Sequence, residues 1–355
     1  MLGSLNDGTH SAFIQSLPKA ELHLHLEGSV DPATLAELSR RHNRPLRAEG
    51  NNYAFNPDSG REFTEDDVRV LYRYKDFNGF LMAFKTVTER LRTPEDYELI
   101  TYRLMEKLKA QNVVHAEVYV SVGVIYWRGQ DFDPIFEGLE GGRQRGERDF
   151  GVSLLWIFDA VRHFGVEAAE KVFTKAAELR HRNVVGIGIG GDENRGPAVW
   201  FRDLYARAAD QGLRLTCHAG ESAGPESIWS AIRDLKADRI GHGLTAVEDP
   251  ALMDYLAEHQ IPIEVCLSSN VRTGCCKSLA DHPLPKYIER GLMVTLNTDD
   301  PEMFETTLNG EYELARQRIE LTDAELLELA KNSVRASFLP QAATIALLER
   351  KFAQY

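Results

Sequence analysis

Residues 17–28 read LPKAELHLHLEG and residues 292–301 read LMVTLNTDDP. In both, an apolar run gives way at its carboxyl end to histidine, acid, glycine or proline. A barrel strand has this character when its carboxyl end faces an active site. Two more segments repeat the pattern: 213–221, LRLTCHAGE, and 239–243, RIGHG. Runs at 20–26, 113–121, 152–161, 184–190, 213–218, 239–242, 262–267 and 292–297 are rich in Val, Ile and Leu. Most lack clean alternation, as strands buried on both faces do.

Amphipathic stretches lie between these runs, at 32–41, 94–111, 166–182, 198–211, 226–235, 250–259 and 284–290. The first two open with a cap followed by proline, Asp31-Pro32 and Thr93-Pro94. Eight alternations predict a (β/α)8 TIM barrel of the metal-dependent hydrolase type. A doubly wound open sheet is disfavoured because no GxGxxG follows the first strand. The expected organisation is a disordered tail over 1–15 and one catalytic domain over 16–355. Residues 45–87 are too long for an ordinary connection, and Phe77, Phe80, Leu81 and Phe84 recur at helical spacing. They predict a helical lid inserted after strand 1, with Phe77 lining the substrate pocket.

The bulk properties narrow the function. A net charge of −13 over 355 residues leaves no basic footprint for nucleic acid. No apolar run approaches the roughly 20 residues that span a bilayer. Four cysteines, two of them vicinal, without a CxxC pair suit a reduced, cytoplasmic protein. A small-molecule substrate is the expected partner, and association into a homo-oligomer stays open.

His23 and His25, two apart on a strand, point to one face, and a metal removes their mutual repulsion. His218 offers a third nitrogen. With the carboxylates of Asp299 and Asp300 these are the ligand types of a catalytic zinc centre. Successive strand residues face opposite ways, so one of the two aspartates is expected on the metal and the other in a hydrogen bond. Glu221 is suited to acid–base work beside a substrate. His242, flanked by glycines, reads as a base next to the metal's water.

In combination LPKAELHLHLEG, GGDE, HAGE, RIGHG, SSN and NTDDP resemble the adenosine deaminase family of the amidohydrolase superfamily, from Leu17 to about Tyr312. The resemblance implies a hydrolase of cyclic amidines that removes the 6-amino group of a purine nucleoside and releases ammonia. It implies one Zn2+ per chain on His23, His25, His218 and Asp299. It further implies that Glu221 protonates ring N1, His242 orients and activates the hydroxide nucleophile, Asp300 bonds the nucleophile and N7, and the Gly191 N–H meets N3. Glu27 stands where vertebrate members have Asp near the ribose. HxHxEG looks more like bacterial members, which act on adenosine, adenine or the 6-aminodeoxyfutalosine of menaquinone synthesis. Arg272 and Arg162 are candidates for the carboxylate of the last. The alternatives are deamination of free adenine, or a two-metal amidohydrolase acting on a non-purine substrate. The latter usually needs a bridging lysine or carboxylate on strand 4, and VVGIGIGG has none.

Overall fold

The computed structural model describes residues 10–44, 64–74 and 77–355. Among these, eight parallel strands run in sequence order: β1 Lys19–His25, β2 Val113–Val120, β3 Ser153–Val161, β4 Val184–Gly190, β5 Arg214–Ala219, β6 Arg239–His242, β7 Ile263–Val265 and β8 Val294–Leu296. The seam between β8 and β1 closes beyond the end of β8. The His25 N–H donates to the Asp299 carbonyl at 2.8 Å and the Asp299 N–H to the His23 carbonyl at 3.0 Å. Lower down, Asn297 Oδ1 substitutes for a strand carbonyl, accepting the N–H groups of Leu22 (2.9 Å) and His23 (3.2 Å). The chain is thus a (β/α)8 barrel, as the alternation predicts.

Local chemistry explains most helix starts. Asp31 caps Pro32–Arg41 by accepting the Thr34 N–H at 2.7 Å, and Thr93 with Asp96 forms a capping box before Pro94–Ala110. The stretch expected as one helix over 198–211 begins as a 3-10 turn, Ala198–Phe201, and continues as Arg202–Asp210.

Phe132–Phe150 is a nineteen-residue helix that periodicity did not disclose, because glycine weakens the helical signal. Its glycines have a packing reason. A Cβ on Gly138 would stand 2.0 Å from the Pro94 carbonyl oxygen, and one on Gly142 would stand 2.6 Å from that of Glu98. On Gly146 it would be 2.3 Å from Met105 Sδ. Glycine every fourth residue lets this helix lie directly on Pro94–Ala110. Three further helices, Leu308–Arg318, Asp323–Arg335 and Gln341–Phe352, complete the chain.

The tail expected over 1–15 is corrected where it is described. Ala12–Ser16 is a helix capped by Ser11, with Ile14 fully buried in the core; residues 1–9 lie outside the described residues. Of the insertion, 45–63 lies outside them too, as does the side chain of Phe77. The rest forms helices Glu65–Tyr72 and Phe77–Thr88. Phe80 stacks on Phe304 at 5.2 Å, and Tyr74 Oη donates to the Met303 carbonyl at 2.9 Å. The insertion therefore packs on the loop that follows β8. No helix among the described residues is long and apolar enough to cross a membrane. All four cysteines are free.

Candidate active site and metal centre

The carboxyl ends of β1, β5, β6 and β8 converge. One donor atom from each of His23, His25, His218 and Asp299 lies within 4.8 Å of the others. His25 Nε2 is 3.2 Å from His218 Nε2 and 3.3 Å from Asp299 Oδ1; His23 Nε2 is 3.6 Å from the same oxygen.

The far ring atoms settle which nitrogens face inward. His23 Nδ1 donates to the Glu264 carboxylate at 2.8 Å, and His218 Nδ1 donates to the Ile189 carbonyl at 3.0 Å. Both acceptors demand a proton on Nδ1, so each Nε2 turns a lone pair toward the centre. Partners of this kind fix imidazole orientation at metal sites. His23 Nε2 is buried without any hydrogen-bond partner. An orphaned lone pair facing two imidazoles and a carboxylate fits a divalent cation.

Electrostatics agree. Burial disfavours charge on His23, but the nearby carboxylates of Asp299 and Glu264 outweigh it and lift its pKa to about 10. Burial, only partly offset by Asp299, lowers His25 to about 4. The carboxylates beside His23 thus favour a positive charge at this position, as a bound cation would supply.

The backbone is distorted at this site. His242 and Asp299 adopt left-handed conformations, with φ of 64° and 65°. Such residues cost energy and persist where the surrounding structure enforces them. Gly241 is required for space, since a Cβ there would lie 2.7 Å from His23 Cε1. Gly28 clears room for Asp300 in the same way, its missing Cβ falling 1.9 Å from Asp300 Oδ1.

Around the centre, His242 Nε2 lies 3.6 Å from Glu221 Oε2 and 3.9 Å from Asp299 Oδ2. Asp299 Oδ2 accepts the Ser269 hydroxyl at 2.7 Å. Burial pushes the Glu221 carboxyl above its usual range. Burial and the neighbouring Asp299 do the same for Asp300, whose Oδ1 has no partner. Gly191, at the end of β4 with φ of 90°, has His163 Nδ1 only 3.0 Å from where a Cβ would project. Glu27 Oε1 accepts the Ser121 N–H at 3.0 Å while Oε2 is buried without a partner, and burial raises the carboxyl to about 7.

Two arginines singled out from sequence part ways. Arg162 is fully buried; it donates to the His218 carbonyl and, at 3.3 Å, to that of Gly196. It braces the strand end that carries His218 and has no surface to offer a substrate carboxylate, which corrects the expectation for it. Arg272 sits at the rim, a quarter exposed, on Glu305.

Several supporting residues escaped sequence reasoning. Glu193, the last residue of GGDE, accepts the N–H groups of Gly220 (2.9 Å), Glu221 (2.9 Å), Ser222 (2.8 Å) and Ala223 (3.3 Å) and the Ser227 hydroxyl. Burial would raise its pKa, but Ser227, these amides and Arg162 outweigh that and hold it below the usual range. It therefore shapes the turn that presents Glu221. Glu264 links His23 to Arg239, which is fully buried between Glu264 and Glu117. Glu117 in turn receives His115 Nε2 at 3.2 Å. For Glu117 and Glu264 the sequence signal was an acid inside an apolar run.

The family model described as adenosine deaminase matches residues 18–353. An aminodeoxyfutalosine deaminase of Streptomyces avermitilis is 39% identical over 333 residues, which is 93% of this chain and 89% of that one. The crystal structure of an adenine deaminase from Arthrobacter aurescens superposes with a TM-score of 0.86 at 32% identity, covering 95% of this chain and 99% of that one. An amidohydrolase from Burkholderia ambifaria, solved with bound Zn, gives 0.85 at 26% identity over 97% and 92%.

Proposed function

The chain belongs to the adenosine deaminase family and is a hydrolytic purine deaminase, and from that premise we propose that it holds one zinc ion and acts on a 6-aminopurine nucleoside. His23, His25, His218 and Asp299 hold the ion. The observation that carries this reading is the convergence of three imidazoles and a carboxylate, with one Nε2 orphaned, beside a buried acid. Borderline nitrogen and oxygen donors at a closed cluster suit zinc. When bound, zinc lowers the pKa of water toward 7 and supplies hydroxide at neutral pH.

The protein's own residues do the rest. Burial raises the Glu221 carboxyl, which favours the protonated form that gives its proton to ring N1 and makes C6 electrophilic enough for attack. His242 orients the attacking oxygen. Asp300, whose carboxyl burial and Asp299 also raise, bonds the nucleophile and N7, and the Gly191 N–H meets N3. Glu27 has an unpartnered oxygen for a sugar hydroxyl. Ammonia leaves and the 6-oxopurine remains. The substrate we favour is of the aminodeoxyfutalosine kind, an adenosine-type nucleoside with a remote carboxylate for Arg272. The 39% identity to a deaminase of that name supports it. Free adenine is the second reading, supported by the structural similarity to an adenine deaminase.

The test is the ultraviolet shift of the 6-amino to 6-oxo conversion, followed for adenosine, adenine and 6-aminodeoxyfutalosine. Glu221→Gln should keep fold and zinc and lose most turnover, on the order of 100-fold or more. Unchanged turnover in that variant removes Glu221 from the mechanism. Absence of a shift with every purine refutes the substrate class.

A further inference from the structure

His282 and Asn270 lie outside the cluster of expected ligands, yet both are buried and joined to it. Leu284 donates its N–H to His282 Nδ1 at 3.1 Å. His282 Nε2 is 3.3 Å from Asn270 Oδ1, and Asn270 Nδ2 is 3.2 Å from His242 Nδ1. Asn270 is 0%, His242 2% and His282 5% exposed.

Proton positions along this chain follow from one group that has no choice. A backbone N–H can only donate. His282 Nδ1 must therefore accept and carries no proton, so the proton of that ring is on Nε2. An Nε2–H needs an acceptor, which assigns the facing Asn270 atom as oxygen. The amide nitrogen then faces His242. An amide nitrogen can only donate, so His242 Nδ1 must accept, and the proton of His242 is on Nε2, facing Glu221 and Asp299. Burial lowers the His282 pKa to about 3, in keeping with a ring that carries one proton.

We propose that Asn270 and His282 are positioning residues that set the tautomer of His242, so that it presents an N–H to the reacting centre and holds an oxygen there instead of withdrawing a proton. The proposal deepens the reading of His242 given above and rests on it. Without the relay, Nδ1 and Nε2 could exchange roles, and the face toward the centre would alternate between donor and acceptor.

Asn270→Asp is the decisive variant. It is isosteric, but a carboxylate accepts at both oxygens. The bond from His282 survives, while His242 Nδ1 must now donate, and in the neutral ring Nε2 then carries no proton. The zinc-loaded enzyme, labelled with 15N-histidine, reports each tautomer directly through its ring nitrogen shifts. The expected wild-type result is an unprotonated Nδ1 and a protonated Nε2 on His242. In Asn270→Asp the two should exchange, with kcat falling by at least about 100-fold at unchanged KM and zinc content, since a catalytic histidine in the wrong tautomer can lose up to ~10⁴. His282→Phe should lower kcat as well, and His282→Gln, whose amide can still donate to Asn270, should restore most of it. A protonated His242 Nδ1 in the wild type overturns the relay, as does full activity in Asn270→Asp with the wild-type tautomer. Full activity with the exchanged tautomer refutes the catalytic use of His242 instead.

Discussion

Replacing Glu264 by glutamine should loosen the metal without emptying the fold. Glu264 accepts three donors, His23 Nδ1–H at 2.8 Å and the Tyr119 hydroxyl at 3.4 Å on Oε2 and Arg239 Nε–H on Oε1. Glutamine has one oxygen for these donors, and the buried cation Arg239 holds it, so the NH2 group opposes His23 Nδ1–H. The His23 ring is then free to turn and to change tautomer, and the lone pair on Nε2 is no longer held toward the cluster. Loss of such an outer partner typically weakens metal binding by about 10–100-fold, or roughly 1.4–2.7 kcal/mol. Arg239 also loses one of its two carboxylates while fully buried, and removing one partner of a buried ion pair costs about 3–5 kcal/mol of stability. Glu117→Gln separates the two effects, since Glu117 meets Arg239 from the other side and does not touch His23. Chelator competition gives the zinc Kd of each variant, and urea denaturation of the metal-free proteins gives their stability. Both variants should be destabilised, and only Glu264→Gln should bind zinc more weakly. A wild-type Kd in Glu264→Gln, or equal weakening in Glu117→Gln, would sink the argument that Glu264 orients His23.

Three further outcomes are expected. Gly138→Ala puts a methyl 2.0 Å from the Pro94 carbonyl, so the two helices must part at a cost of about 1–3 kcal/mol, read as a lower Tm; an unchanged Tm would contradict the close packing. Burial raises the Glu27 carboxyl to about 7 and that of Asp159 to about 8, so between their unfolded values and these the folded state binds more protons than the unfolded one. The contribution of these two groups to the stability of the metal-free protein should therefore fall as pH rises from about 4.5 to 8, and in pH-dependent urea titrations Glu27→Gln should remove its share of that loss below about pH 7. Arg272→Leu should raise KM about tenfold for a nucleoside bearing a carboxylate and leave KM for adenosine unchanged; an unchanged KM for the carboxylate-bearing nucleoside would remove Arg272 from recognition.

The barrel was legible because most of its strands are runs rich in Val, Ile and Leu that lack clean alternation. β4 spans 184–190, as its run of Val, Ile and Gly predicts, and β6 keeps the bounds 239–242. His23 and His25 were legible for a related reason: two imidazoles inside such a run have no apolar explanation. The helix Phe132–Phe150 was not, because its four glycines signal a break to any rule that weighs one chain segment alone. Only the neighbouring helix, with carbonyls where side chains would stand, makes glycine the residue that fits.

The same division runs through the site. The sequence by itself determined which residue types could hold a metal and move a proton, since histidine, aspartate and glutamate at strand ends have few other uses. Tertiary structure alone decided where such residues stand and what they touch. It turned Arg162, a candidate for substrate, inward onto the His218 carbonyl. It converted His282, indistinguishable in sequence from a surface histidine, into the start of a buried chain leading to His242. It joined Glu264, Arg239 and Glu117 across the barrel from three different strands. A hydrogen bond depends on distance and direction in space, and residues 12, 28 or 122 positions apart acquire both only when the barrel closes.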